Sequence, residues 1–377
     1  MSSRVSLRRA RRALVVAMGL LGSVGAQAAS AVTVRVDDDR AQCPDASFRR
    51  ISPALAAVPP DSTVVVCPGT YVEALRMNKP GVRVIGLRGR HSDIVLMQAP
   101  GADPSIPMVE MSAPDTTLAA VKIRDSRTAP EAGCVDVGVL VDNGAGSFAG
   151  ASVVDNVTVR QLAFGSPFQC GVRQGTGVRV GASGESGRPG RAIVRNSTLV
   201  APTNGLHVTA GSEASVRGNV ITSARPGLAG GGGIFIEGGT VRFVRNDVSR
   251  FNLGVFAFSG QALVFGNTIH DGRVGVSLGF GMTGATAIDN DIRRGVEGFV
   301  VGSVGALVSG NRIDVDGGLA FDVQDPASRN QFVANVATDG ECSDSTRGAG
   351  TAGTANTWID NIGAPSFPPK ICRPPSP

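Results

Sequence analysis

The sequence VRGNVI, residues 216–221, contains an asparagine that recurs in similar surroundings along the second half of the chain. In most copies an apolar residue stands two positions after the asparagine, and neighbouring copies are 21 to 27 residues apart. A period in this range is typical of stacked repeats, in which one short unit buries its apolar face only against its neighbours. The predicted ladder consists of Asn196, Asn219, Asn246, Asn267, Asn290, Asn311 and Asn335.

A second repeated segment lies between successive asparagines. It is a glycine followed by apolar residues at alternate positions, as in Gly233-Ile234-Phe235-Ile236. Alternation of this kind is typical of a strand with one buried face, and no helical period accompanies it. Short strands joined by turns within each repeat predict the coils of a parallel β-helix.

The repeated asparagine has a physical role in such a coil. A buried turn leaves backbone groups unpaired, and an asparagine side chain offers both a donor and an acceptor to satisfy them. The alternative is a surface turn residue that tolerates a positive φ angle. The recurrence of asparagine favours an inward ladder over this alternative.

Residues 1–28 have the pattern of a signal peptide. Arginines at positions 8, 9, 11 and 12 precede an apolar segment, and Ala26-Gln27-Ala28 has the form of a cleavage site. The apolar segment is short for a membrane span. We therefore expect a secreted or periplasmic protein, with no membrane span after removal of the signal.

Removal of this segment changes the electrostatics. The whole chain has a formal charge of +5, and residues 1–28 contain five arginines and no acidic residue, so the predicted mature chain is neutral. A nucleic-acid partner requires a basic surface. The sequence therefore predicts no nucleic-acid partner.

Six cysteines follow the predicted signal, and an even number favours disulfides in an exported protein. They fall into three separate groups, so the simplest of the fifteen pairings is Cys43–Cys67, Cys134–Cys170 and Cys342–Cys372. No C-x-x-C motif is present and the three histidines are scattered, so the sequence predicts no metal site. The acidic run at residues 37–39 is interpreted as solvated rather than as a set of calcium ligands.

The chain is divided into a signal peptide (1–28), an N-terminal cap (29–63), the β-helix (64–339) and a C-terminal cap with a proline-rich tail (340–377). Residues 51–58 are the one stretch with the pattern of an amphipathic helix. We expect this helix to cover the first coil, because an open coil end is an unpaired sheet edge. Trp358 is expected to seal the other end.

The segment from Val64 through G-T-Y-V-E at residues 69–73 to Gly86, followed by the asparagine repeats, resembles the right-handed parallel β-helix proteins of the pectin-lyase-like superfamily. The resemblance implies an all-β fold: a single right-handed parallel β-helix, or solenoid, with a short N-terminal capping helix and disulfide-tied ends. It also implies a polysaccharide as partner. No cofactor is evident from the residues, and calcium is implied by the resemblance alone.

The catalytic motifs of the enzymes in this superfamily are missing. The R-x-P-x-x-R motif of pectate lyases, the N-T-D and G-H-G motifs of galacturonases and the D-P-H motif of C5-epimerases do not occur in the sequence. The segment Trp358-Ile359-Asp360-Asn361 resembles the W-I-D-H segment of pectate lyases but lacks its histidine. The resemblance therefore indicates a fold more specifically than an activity.

The register of the repeats predicts which residues face outward. If the second residue after each asparagine points inward, the third points outward and stacks with its equivalents in neighbouring coils. A base and a cation in one such column suit acid–base chemistry on an acidic sugar. The predicted catalytic residues are His270, Arg293 and Asp314. The alternative is a solvated ladder of alternating charge, which contributes little to stability.

The glycine-containing repeat predicts a second outward column, with three phenylalanines that face water in adjacent coils. An exposed apolar patch usually marks an interface or a ligand groove. The predicted ligand-binding residues are His207, Phe235, Glu237, Phe256 and Phe258. The alternatives are a covering loop, such as the insertion at residues 157–190, or a dimer interface.

Together these features predict an exported β-helix protein that binds or processes an extracellular or cell-wall polysaccharide along its outer face. The alternative is a non-catalytic β-helix scaffold or surface-binding protein, which the missing motifs favour. Whether the protein is an enzyme, either lyase-like or otherwise carbohydrate-active, stays open at this point, as does its oligomeric state.

Overall fold

The computed structural model describes residues 30–87, 93–99, 103, 105–124, 137–144, 150–160, 175–182, 187–201, 203–224, 226 and 231–375. Residues 31–377 form one compact unit. The chain winds into a single parallel β-solenoid of about 11 turns, in which each complete turn adds one strand to each of three sheets. This architecture confirms the predicted fold class.

The first sheet contains the glycine-containing repeat. Its strands are Leu75–Met77, Val109–Met111, Val137–Val141, Thr176–Val180, Asn204–Val208, the N-terminal parts of Gly232–Val244, Leu253–Phe265 and Val274–Met282, the C-terminal parts of Asp291–Val301, Arg312–Val323 and Val336–Asp344, and Ser366–Phe367.

The second sheet precedes the ladder asparagines along the chain. Its strands are Thr33–Val36, Thr63–Val66, Arg83–Gly86, Thr117–Ala119, Ser152–Asp155, Arg191–Arg195, Glu213–Arg217, the C-terminal parts of Gly232–Val244 and Leu253–Phe265, Thr286–Ile288, Leu307–Ser309, Gln331–Val333 and Thr357–Ile359.

The third sheet follows the asparagines. Its strands are Gly69–Val72, Ile94–Met97, Lys122–Arg124, Thr158–Arg160, Thr198–Ala201, Val220–Ser223, Asp247–Ser249, Thr268–His270 and the N-terminal parts of Asp291–Val301, Arg312–Val323 and Val336–Asp344.

The core is a stack of inward side chains that repeats from coil to coil. In the third sheet, Val248, Ile269 and Ile292 lie in register and are almost completely buried. The glycine of the first sheet faces this stack: a Cβ atom on Gly254 would lie 2.3 Å from the Ile269 Cγ2 atom. A side chain at Gly254 would clash there, which explains why glycine recurs at this position in most of the coils that carry the repeat.

The asparagines form a hydrogen-bonded ladder inside the solenoid. The Oδ1 atom of Asn246 accepts hydrogen bonds from the backbone N–H and from the Nδ2 group of Asn219, at 3.0 and 2.9 Å. The same Nδ2 group also donates to the Val194 carbonyl at 3.0 Å. The pattern continues without interruption through Asn246, Asn267, Asn290, Asn311, Asn335 and Asn361, all buried.

Asn196 does not belong to this ladder, and its assignment from the sequence was wrong. Its backbone has a φ angle of 51°, its side chain is exposed, and its Nδ2 group donates to Asp155. The backbone N–H of the next residue, Ser197, donates to Asn219 Oδ1 at 3.0 Å and so occupies the ladder position. Asn196 instead occupies the left-handed turn position that Gly218 and Asp289 occupy in later coils.

The N-terminal end is covered by the predicted helix, here α1 (Ile51–Ala57), with Ile51, Ala54 and Leu55 buried. The backbone N–H groups of Ile51 and Ser52 donate to the two carboxylate oxygens of Glu73, at 2.8 and 3.0 Å. At the other helix end, Lys79 Nζ donates to the carbonyls of Leu55, Ala56 and Val58.

Both ends are tied by disulfides, as predicted. The bonds are Cys43–Cys67 and Cys342–Cys372. The third predicted pair, Cys134–Cys170, lies outside the described residues.

The last coils are filled by aromatic rings. Trp358 stacks on Phe332 with ring centroids 4.0 Å apart and meets Phe321 edge-on at 5.4 Å. Its indole Nε1 donates to the buried Asp344 at 2.9 Å. A short 3₁₀ helix, Thr351–Gly353, follows the Asp344 strand.

Candidate functional site

Four of the five predicted ligand-binding residues form a continuous aromatic column on the outer face of the first sheet. His207, Phe235 and Phe256 lie directly opposite one another in successive coils. The ring centroids of His207 and Phe235 are 4.8 Å apart, and those of Phe235 and Phe256 are 5.0 Å apart, with nearly parallel planes. Phe258 ends the column edge-on to Phe256, at 6.3 Å. These four residues are called the aromatic column below.

The stacking determines how much of each ring faces solvent. Phe235 and Phe256 are half-buried because neighbouring rings cover their faces, and His207 is only 8% exposed. Phe258 is 52% exposed. The sequence predicted three water-facing phenylalanines, whereas most of the exposed aromatic surface of this column lies at Phe258.

A second exposed phenylalanine lies one coil further along. Phe280 is 59% exposed, and its ring occupies the space beside Gly302, where a Cβ atom would lie only 2.4 Å from the ring. The sequence did not indicate this residue, because it belongs to a glycine-rich segment outside the repeated pattern. Phe258 has the equivalent place in the preceding coil, because Ser259, which follows it, lies opposite Gly281. This earlier phenylalanine is the signal that could have found Phe280.

Glu237 supplies a carboxylate beside the column. Its Oε2 atom lies 2.9 Å from His207 Nε2, and its side chain is 50% exposed. Burial lowers the pKa of His207, the positive charge of Arg179 in the preceding coil lowers it further, and the hydrogen bond to Glu237 opposes both. A neutral His207 therefore donates its Nε2 proton to Glu237, which leaves the second carboxylate oxygen available to other donors.

Polar and ionic groups continue the same face toward the N-terminus. Arg76 Nε donates to Glu110 Oε2 at 2.8 Å. Near this pair, burial raises the pKa of Asp142, and the charge of Glu110 raises it further while Arg188 opposes the shift. The outer face of the first sheet therefore changes along its length, from ionic groups to stacked rings.

The predicted catalytic residues do lie in one column of the third sheet. His270 is opposite Arg293, which is opposite Asp314, as the register of the repeats predicted. Their side chains bind other groups: Arg293 Nε donates to Asp291 at 2.8 Å, and His270 Nε2 lies 2.9 Å from Asp247 Oδ1. Their proposed catalytic role stays a prediction.

The structure gives His270 two further partners that the sequence analysis missed. Its Nδ1 atom lies 2.6 Å from Asp271 Oδ2 and 3.0 Å from Arg294 Nη2. Asp271 also forms a two-point ion pair with Arg294, at 2.5 and 2.9 Å. These hydrogen bonds, first from Arg294 and then from His270, hold the pKa of Asp271 well below its usual range.

Asp271 and Arg294 were missed because each follows, rather than occupies, an outward strand position. Both have left-handed backbone angles, with φ of 57° and 51°. The sequence signal is the residue directly after the column, which is charged in three successive coils: Arg250, Asp271 and Arg294.

The acidic run at residues 37–39 is not fully solvated, contrary to the interpretation from the sequence. Asp37 is completely buried, and its Oδ2 atom accepts hydrogen bonds from the backbone N–H groups of Gln42 and Cys43. Asp38 accepts from the Thr70 backbone at 2.9 Å. One carboxylate oxygen from each of the three aspartates lies within 4.8 Å of the others, but these contacts already give Asp37 and Asp38 a structural role.

Within the described part of the chain, no helix has the length and apolar character needed to cross a membrane.

Comparison with known proteins agrees with this architecture. The family described as "Right handed beta helix region" matches residues 204–362. The complex of XylC with xylose has a TM-score of 0.59 at 10% identity, and the match covers 91% of this chain and 85% of that one. No curated protein sequence matches the chain.

Two other solved structures align less well. The Azotobacter vinelandii mannuronan C-5 epimerase AlgE6 A-module has a TM-score of 0.49 at 15% identity, with coverage of 80% of this chain and 84% of that one. Pectate lyase Pel9A has a TM-score of 0.48 at 14% identity, with coverage of 88% and 81%. The family match and the XylC structure confirm a right-handed parallel β-helix, and identities this low show the fold alone.

Proposed function

We propose that this right-handed parallel β-helix protein binds a polysaccharide along the outer face of its first sheet, at the aromatic column. The observation that carries the proposal is the exposed ring of Phe258, 52% accessible, next to Ser259, which lies opposite the half-exposed Glu237 in the preceding coil. An apolar ring beside a polar acceptor is the combination that a sugar ring, with its C–H face and hydroxyl rim, requires.

The stack gives Phe258 a rigid support. Its ring contacts Phe256, Phe256 stacks on Phe235, and Phe235 stacks on His207, so the stack spans three coils. A ligand that covers Phe258 therefore buries apolar surface without first having to order a flexible side chain, and this lowers the entropic cost of binding. Glu237 would accept hydrogen bonds from sugar hydroxyl groups, and bonds to a charged acceptor are stronger than neutral ones.

The solenoid also suits an extended ligand. Its coils repeat at roughly the 4.8 Å spacing of paired strands, so the outer face presents equivalent positions along one line. The predicted secretion supports an extracellular or cell-wall polysaccharide, and the two disulfides are compatible with an oxidising compartment.

The test is a binding measurement with residues 29–377 on a panel of neutral and acidic polysaccharides, by native affinity electrophoresis. We expect retardation by at least one polymer, and Phe258→Ala should weaken it about three- to tenfold through loss of an aromatic contact. Phe367→Ala is the matched control, because Phe367 is 55% exposed and lies near the C-terminal end of the same sheet. Failure to bind any polymer, or equal effects of the two substitutions, would contradict the proposal and favour the non-catalytic scaffold.

The same panel tests the predicted catalytic residues. A lyase-type reaction removes a proton beside the uronate carboxylate and breaks the C–O bond to the adjoining sugar, which leaves as an alcohol after its oxygen is protonated. The remaining sugar is unsaturated, and ultraviolet absorbance detects it. If such a product forms, His270→Ala should slow its formation by about 100-fold or more, the range expected for loss of a general acid or base. An unchanged rate would remove His270 from the mechanism.

A further inference from the structure

A groove lies away from the aromatic column, at the turn that joins the second sheet to the third. It is called the arginine groove and is lined by Arg195, Asn196, Arg217, Gly218, Val244 and Arg245. Arg195 and Arg217 are opposite each other in successive coils, and Val244 continues this row. Arg245 follows Val244, so three coils contribute one guanidinium group each.

The positive charge in the groove is only partly compensated. Arg195 Nη2 donates to Asp155 at 2.8 Å, and Asn196 Nδ2 donates to the other oxygen of the same carboxylate at 3.0 Å. Among the residues that the structure describes, the guanidinium groups of Arg217 and Arg245 have no hydrogen-bond or ion-pair partner, and both residues are exposed. The buried Nε atom of Arg195 also has no hydrogen-bond partner.

The backbone keeps the floor of the groove open. Gly218 lies between Asn196 and Arg245 in the stacked turns, with a φ angle of +62°. A Cβ atom at this position would lie 3.5 Å from Asn196 Oδ1 and would project into the space between the neighbouring side chains. The missing side chain therefore leaves room for a small planar or tetrahedral group between the arginines.

We infer that the arginine groove binds the anionic groups, carboxylate or sulfate, of an acidic polysaccharide. The polysaccharide partner rests on the proposed function, to which the groove adds a preference for charge and a second point of contact. Guanidinium groups bind carboxylate and similar oxyanions through two parallel hydrogen bonds. Arg217 and Arg245 stand on successive coils, so together they can hold one anionic group or two consecutive ones.

The lining favours a glycan over a nucleic acid. Single-stranded nucleic acids bind where aromatic rings stack on the bases beside a basic track. The six residues of the groove include no aromatic ring. The predicted mature chain is also neutral overall and so lacks the excess positive charge that is typical of nucleic-acid-binding proteins.

The test compares polygalacturonate with its fully methyl-esterified form, which has the same backbone without the charge, and adds dextran sulfate as a sulfated polymer. We expect wild-type residues 29–377 to bind at least one of the anionic polymers more tightly than the ester, and salt to weaken that binding. Arg217→Gln combined with Arg245→Gln should reduce the affinity for that polymer by about tenfold or more, through the loss of two charge-assisted contacts. Arg83→Gln, at an exposed arginine on the same sheet nearer the N-terminus, should change nothing.

A second variant tests the shape of the groove without changing its charge. Gly218→Asn fills the floor with a residue that tolerates this backbone, as Asn196 does at a φ angle of 51° in the previous coil. We expect it to weaken binding of the same anionic polymer while thermal unfolding stays close to that of the wild type.

Several outcomes would overturn the inference: unchanged binding of both anionic polymers by the double arginine variant, or equally tight, arginine-dependent binding of single-stranded DNA. If only the proposal for the groove is wrong, polysaccharide binding will be weakened by Phe258→Ala and unchanged by the double arginine substitution. If only the proposal for the aromatic column is wrong, binding of the anionic polymer will be weakened by the double arginine substitution and unchanged by Phe258→Ala.

Discussion

At the scale of single residues, the asparagine repeat shows that residue type and spacing alone do not determine which structural position an asparagine occupies. Asparagine suits two positions in each coil: the buried ladder and the left-handed turn directly before it. Asn219 occupies the first and Asn196 the second. Spacing alone could not separate them, since the two positions are adjacent. The ladder reaches Asn361, in the segment that the sequence predicts as the C-terminal cap.

We expect substitutions at the buried ladder position and at the turn position to lower the free energy of unfolding by different amounts. Asn267→Ala removes the acceptor of the Asn246 backbone and side chain, and the donor to the Phe243 carbonyl, all buried. We expect a loss of about 3 kcal/mol or more, because unsatisfied buried groups cost about 1–3 kcal/mol each. Asn196→Gly should cost less than about 1 kcal/mol, since glycine adopts positive φ angles easily. Urea unfolding followed by circular dichroism measures both, and equal losses would refute the assignment.

A pH dependence follows from His207. Burial and Arg179 lower the pKa of His207 from its ordinary value of about 6.5, so the unfolded chain binds a proton at a higher pH than the folded protein. The folded protein therefore loses stability as the pH falls below about 6.5 toward the lowered value. We expect the melting temperature to drop over this range and His207→Phe, which continues the stack, to reduce the drop. The same pH profile for both proteins would contradict the account.

At the scale of elements, the sequence predicted the capping helix but not what holds it. The helix pattern at residues 51–58 predicted α1, which lies over the first coil, with Pro53 in its first turn and Pro59-Pro60 directly after its end. Its caps come from Glu73 and Lys79, which lie more than 20 residues away in the sequence. Contacts of that kind depend on how the coil closes, and no local pattern reports them.

Because Glu73 caps α1, we expect its substitution to destabilise this helix locally. Glu73→Ala leaves the backbone N–H groups of Ile51 and Ser52 without their buried acceptor. We expect the helix to lose about 1–2 kcal/mol, the usual cost of a lost N-terminal cap. Hydrogen exchange of the α1 amides measures it, with Glu73→Gln as the control that keeps one carbonyl oxygen. Protection that is unchanged by Glu73→Ala would show that the carboxylate does not hold the helix.

At the scale of the whole molecule, the repeat predicted which residues share a column, and the structure supplied their partners. His270, Arg293 and Asp314 stack as the register required, yet His270 contacts Asp247 and Asp271 instead. The direction of a long polar side chain depends on its neighbours in adjacent turns, which a strand period does not encode. The sequence did not indicate the arginine groove because its residues lie at or beside a turn. The alternation of inward and outward residues, which holds along a strand, ends there.

The residues that repeat most faithfully build the solenoid, and the proposed binding surfaces consist of residues that change from coil to coil. The most direct test is a crystal structure with an oligosaccharide from a polymer that the protein binds. We expect a sugar ring against Phe258, with a hydroxyl group at a hydrogen-bonding distance of about 3 Å from Glu237. A sugar bound to another face, with Phe258 still exposed, would contradict it.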